Sequence, residues 1–281
     1  MWRIIPSSDN QSYGLILIQR KPGGFLDSRK LGGILLGGLA ISLFVIAAFI
    51  PRFPQPATYH SFADRRGWLG IPNFGDVVSN AGFVIVGILG LYATLRRPVR
   101  IHFVDQNEKW PYLIIFFGLL LTAAGSSYYH LAPDNARLVW DRLPMTIVFM
   151  SLVAALIAER INVCAGLTLL PFLLAIGVAS ILQWRWTETQ GRGDLRFYAA
   201  VQLYAMLAVI LALFLKPKYT RGSDLAVLAG FYLFAKLTET FDKQIFSRGH
   251  LVSGHTIKHV AAAAGSYWIL RMLERREPII E

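Results

Sequence analysis

SSYYHLAPDNARLVWDRLP, residues Ser126 to Pro144, joins two long apolar runs. Its middle holds Pro133, Asp134 and Asn135, a strong turn signal. The runs on either side therefore form an antiparallel helical hairpin. Ser126 and His130 stand at i and i+4, so they share one helix face about 6 Å apart along the axis. Asp141 opens the returning helix at the same end, which brings it close to His130. Ionisable groups within membrane spans are rare and usually mark a site or a pathway, so this hairpin bears on both fold and function.

Working outward, the 281-residue chain is 54% hydrophobic and only 16% charged, against about 25% charged in a soluble domain. A bilayer core takes roughly 20 apolar residues per helix. Runs of that kind fall near 31–50, 76–95, 111–131, 138–159, 163–183, 197–215, 225–242 and 255–272. The sequence predicts an all-α, multi-pass transmembrane helix bundle. The first run is too long and too far from the terminus for a signal core of roughly 7–15 residues, so an uncleaved helix is expected. Residues 1–69 read as a basic N-terminal segment, an extra transmembrane helix and a connecting loop, and residues 70–281 as the core.

The net charge of +11 is scattered among loops rather than gathered on one face. That excludes a nucleic-acid surface and fits the positive-inside bias. The larger share of Lys and Arg falls on the N-terminal side of the membrane, so both termini are expected in the cytoplasm. Cys164 is the single cysteine, which excludes an intrachain disulfide; a small buried apolar role is its default.

With eight spans, His130, Asp141, His255 and His259 all fall at the non-cytoplasmic end. Asp76, Ser79, Asn80, Glu239 and Asp242 join them, and no comparable set is expected at the opposite end. In SGHTIKHVAAAAG, Ser253 to Gly265, His255 and His259 repeat the i, i+4 relation, a common way for one helix to give a metal two ligands. Three histidines and an open position are the usual catalytic zinc arrangement. His130, His255 and His259 are thus the expected Zn2+ ligands. Asp141 is the expected proton acceptor or ligand-orienting carboxylate, and Ser126 the expected oxyanion donor. Trp184 and Trp186 are assigned to an interface belt, and His60, His102 and His250 to no specific role.

Together, S-x-x-x-H at Ser126 to His130, Asp141 before R-L-P-M, and H-x-x-x-H at His255 to His259 resemble the alkaline ceramidase family. That family belongs to a membrane zinc hydrolase group that also contains the progestin and adiponectin receptors. DVVSNAGFVIVG, Asp76 to Gly87, is similar to the start of its first core helix. The resemblance covers roughly residues 70–275. It implies a seven-helix core, zinc on His130, His255 and His259, and hydrolysis of the N-acyl bond of ceramide to a sphingoid base and a fatty acid. The implied partners are the lipid substrate, ceramide or another N-acyl lipid arriving from the bilayer, and membrane lipids. The family's acidic calcium segment has only Asp64 and Asp76 as counterparts in FADRRGWLGIPNFGDVVSN, Phe62 to Asn80, so calcium is not expected. Two other readings stay open: a zinc-containing lipid receptor with little or no catalysis, and a histidine–acid relay in a proton or ion transporter.

Overall fold

The computed structural model describes residues 28–96 and 101–279. Most of the expected basic N-terminal segment, and Arg97 and Arg100 from the charge count, lie outside these residues. The described residues form helices without strands: α1 Ser28–Phe49, α2 Phe74–Val78, α3 Ala81–Arg96, α4 Lys109–Leu131, α5 Asn135–Arg160, α6 Val163–Thr189, α7 Arg196–Ala212, α8 Asp224–Thr240, α9 Asp242–Gly249 and α10 Gly254–Arg275. A helix stands wherever an apolar run predicted one.

Local chemistry sets the boundaries. Asp134 accepts from the Arg137 backbone N–H at 2.7 Å and starts α5. Asn162 caps α6 through Ala165, and Ser253 caps α10 through Thr256. Each cap satisfies an N–H left without a partner at a helix start.

Five helical segments are long and apolar enough to cross a membrane: Ser28–Phe49, Phe74–Arg96, Gln106–Leu131, Asn135–Arg160 and Val163–Thr189. This is the composition of an integral membrane protein. Helices α7 and α8 have 17 residues each, and α10 carries charged residues at both ends. The outside of the molecule is apolar, with Ile41, Ile85, Phe172 and Leu182 more than half exposed. Apolar faces of this extent need a nonaqueous neighbour. Polar groups are sent inward instead; Asp76, Asp141, Arg142 and the three site histidines are all buried.

The helices close a ring. α3 packs on α4, α4 on α5, α5 on α6, α6 on α7, α7 on α8, α8 on α10, and α10 returns to α3; α1 lies outside against α7. The α4–α5 hairpin is pinned by a matched pair of sequence features. Pro144 has no N–H to offer the Trp140 carbonyl one turn back. A Cβ on Gly125 would sit 1.9 Å from that same carbonyl oxygen. Only glycine permits this approach, and it seats Ser126 beside the start of α5.

The far end corrects one expectation. It carries a buried polar network of its own: Glu108 with Lys218 and Tyr219, and Glu159 with Tyr112 and Arg276. Arg276 also faces Phe103, Tyr112 and Tyr219. Glu108, Lys218, Tyr219 and Arg276 lie outside the apolar runs, so the sequence places them in loops, whereas the chain folds them against Tyr112 and Glu159 at the helix ends. Two smaller assignments change as well. Cys164 is exposed on the first turn of α6. Trp184 is fully buried, unlike the exposed Trp186, because α6 turns that face into the bundle.

Candidate metal centre

His130 closes α4, while His255 and His259 occupy the first two turns of α10. Their ring centroids form a near-equilateral triangle, with sides of 4.8, 5.0 and 4.9 Å. One nitrogen from each ring lies within 4.8 Å of the others. Among the described residues, this is the one His/Cys/Asp/Glu group with metal-holding geometry.

The surroundings decide which nitrogens are free. Both ring nitrogens of His130 are buried without a partner. His259 Nδ1 is 3.1 Å from the Asp76 carbonyl and 2.8 Å from Ser79 Oγ. Donation from Nδ1–H to that carbonyl leaves Nε2 as the lone-pair nitrogen, the usual outer support of a ligating imidazole. His255 is oriented through its backbone, since Asp242 accepts from its N–H at 2.9 Å. The other Asp242 oxygen accepts from Ala63 N–H, also at 2.9 Å. Three buried imidazoles converging on a common centre, with His259 held by a carbonyl and both His130 nitrogens unpaired among the described residues, fit a divalent metal; hydrophobic packing offers no reason to leave His130 unpaired.

Ser126 and Asp141 reach the same place without joining the triangle. Both are buried, lie close enough to interact, and line a cavity of about 310 Å³ together with His259. Asp141 has no ion pair among the described residues. Lys258 pairs instead with Glu239 at 2.6 Å, and Glu239 also holds Lys236 at 2.7 Å. Glu239 therefore both lines the cavity and forms ion pairs, and Asp242 caps α10.

The polar end of the cavity is formed by the end of α4, the start of α5, the end of α8 and the start of α10. Its depth is apolar, lined by Leu119, Phe149, Leu152, Val209, Leu228 and Ile269.

Sequence reasoning missed the segment between α1 and α2, residues 50–73. It lies across the polar end. Phe62 packs against the rings of His130 and His255, at 4.7 and 4.6 Å. His60, expected to do nothing specific, bridges the hairpin from Tyr129 OH at 2.8 Å to Asn135 Oδ1 at 2.9 Å. Tyr59 donates to Glu239 at 3.4 Å. Nothing in an irregular loop announces such contacts; only the clustering of Tyr59, His60 and Phe62 could have drawn attention.

The two carboxylates that stand where the resembling family has its acidic calcium segment are engaged by protein groups. Arg66 forks onto Asp64 at 2.8 and 2.7 Å and holds that carboxyl below its usual value. One oxygen of Asp76 accepts from Thr256 and Ser253 at 2.7 and 3.2 Å.

A search of protein-family models finds no match to this chain. No curated protein matches it significantly either.

Proposed function

We propose that this protein is a zinc-dependent intramembrane amide hydrolase of the alkaline ceramidase kind, with a seven-helix membrane core preceded by α1. On this reading it cleaves the N-acyl bond of ceramide-type lipids. The single observation that carries the reading is the buried triangle of His130, His255 and His259, of which His259 lines the polar end of an otherwise apolar cavity. The helices α3 to α8 and α10 form the core, both termini face the cytoplasm, and the centre lies toward the opposite face.

His130, His255 and His259 would hold the metal, each offering one ring nitrogen. Bound zinc supplies Lewis acidity to a reacting carbonyl. The remaining roles belong to the chain. The apolar depth of the cavity takes an acyl chain, so burial positions the amide at the polar end. Asp141 accepts a proton from the attacking water on its carboxylate and returns it to the departing amine. Ser126 donates a hydrogen bond to the oxygen on which charge develops. Phe62 and the 50–73 segment keep bulk water from the rings, which strengthens these electrostatic contacts.

The test uses purified protein in detergent with an N-palmitoyl sphingoid lipid. Fatty acid release is expected from wild type. His259→Ala should lose both zinc and turnover. Asp141→Asn should lose turnover while keeping about one zinc per chain. Turnover that is absent from wild type with full zinc occupancy would refute the hydrolase and favour a receptor. Absence of stoichiometric zinc would refute both and favour the relay.

A further inference from the structure

Arg142 follows Asp141 but faces a different environment, and the chemistry above does not use it. It is 5% exposed and lines the same cavity. Its guanidinium stands 5.2, 4.7 and 4.9 Å from the rings of Tyr59, Trp184 and Tyr198. One amino group, Nη2, donates to the neutral Gln55 Oε1 at 2.5 Å. The other, Nη1, is buried and has no partner. No carboxylate forms an ion pair with Arg142 among the described residues. Glu188, the acid of this neighbourhood, accepts instead from the Gln55 backbone, Trp184 Nε1 and Asn135 Nδ2.

A buried guanidinium with three aromatic walls and a free donor is incomplete as a structural element, because buried charges are normally paired. The rest of the cavity does not supply the counter-charge. Lys236 and Lys258 share Glu239, and Asp141 belongs to the metal centre. The Arg142 guanidinium is left with no carboxylate of its own among the described residues, beside one unfilled hydrogen-bond donor.

We propose that Arg142 is a carboxylate-binding subsite, and that the lipid this cavity takes is an N-acyl compound with a monoanionic carboxylate on its head group. The inference rests on the hydrolase reading for the use of the cavity as a substrate site, and within that N-acyl hydrolase reading it replaces the uncharged head group of a ceramide with an acidic one. A single carboxylate matches the one charge of the unpaired guanidinium; a phosphomonoester, at nearly two negative charges, exceeds it. Gln55, on the segment that follows α1, orients the guanidinium. The added N-terminal helix therefore brings a specificity element to the core.

The experiment compares N-palmitoylglycine with N-palmitoylethanolamine, which differ in the head group by a carboxylate in place of a hydroxymethyl. Equilibrium binding to purified protein in mixed micelles and hydrolysis are both measured. Wild type should prefer the acid about tenfold or more, the range expected for a hydrogen bond to a charged group. Arg142→Gln should bring the ratio to near one. Gln55→Glu should do the same while preserving packing, because it supplies the missing counter-ion at the same position. A merely structural Arg142 would be stabilised by Gln55→Glu with no change in the ratio. Equal binding of the two lipids by wild type, or a preference that survives both variants, would overturn the proposal. If the variants alter only inhibition by free palmitate, the subsite reads the released acid and the head-group assignment is overturned. Selective binding without hydrolysis would sink the hydrolase reading alone; hydrolysis without selectivity would sink this inference alone.

Discussion

Replacing His130 by leucine should reverse the order of stability between metal-free and metal-loaded protein. His130 is 0% exposed, and neither ring nitrogen has a partner among the described residues. An unsatisfied buried polar atom costs about 1–3 kcal/mol. Leucine is of similar size and carries no such atom; a volume-conserving swap usually costs less than about 1.5 kcal/mol in repacking. In chelator, His130→Leu should therefore be at least as stable as wild type, and up to about 2 kcal/mol more stable. Metal at a hundred times its dissociation constant adds about 2.7 kcal/mol to a protein that binds it only when folded. The variant keeps two of three ligands and gains little. Thermal unfolding in detergent reads the difference through the tryptophans, at about 2–4 °C per kcal/mol for domains of a few hundred residues. Wild type should melt lower than the variant, or level with it, in chelator, and higher in zinc. The same order in both conditions would refute a ligand role for His130.

Three further outcomes follow from particular contacts. Gly125→Ala should destabilise the α4–α5 hairpin by about 1–3 kcal/mol or more, since its Cβ meets the Trp140 carbonyl at 1.9 Å. Gly38→Ala, with nothing within 4 Å, should be neutral or stabilise by up to about 1 kcal/mol, and melting temperatures in zinc separate the two. Phe62→Ala should speed the loss of metal to chelator, because it uncovers two of the three rings. The Asp64 carboxyl has a folded pKa below its unfolded value of 3.8, so its stabilising effect is present above that value. It is lost as pH falls through the lower folded value. Arg66→Gln should reduce stability only slightly, since Arg66 is mostly exposed. That difference should hold from neutral pH down to about 4 and shrink below it.

The helices and the centre were legible for one reason each. Long apolar runs and strong caps at Asp134, Asn162 and Ser253 are local signals, so the element boundaries fall within a few residues of expectation. The convergence of His130 with His255 and His259 is not local, yet a shared membrane depth stands in for contact once the spans are counted in order. Depth cannot say which way a side chain turns. Asp141 and Arg142 are neighbours in sequence, but one turns toward Ser126 and the other into an aromatic box. Trp184 and Trp186, two residues apart, separate into core and surface. The 50–73 segment was opaque because its contacts are made one side chain at a time, without periodicity. The far-end network was missed because Glu159 and Arg276 sit at helix ends, where a count of charges treats them as solvated.

The strand-like pairing at the end of α10 has a mechanical consequence. Thr220 and Glu277 exchange hydrogen bonds at 2.8 and 2.9 Å, and Ile279 donates to Lys218 at 3.0 Å. This stitches the tail to the loop that leads into α8. At the other extremity, Gly254 lies tight against the Thr238 carbonyl, and Lys258 grips Glu239. Helices α8 and α10 are thus riveted together top and bottom, like two staves of a cask. Staves fixed so cannot part, so any opening of the ring beside them falls at the α7–α8 or the α10–α3 seam.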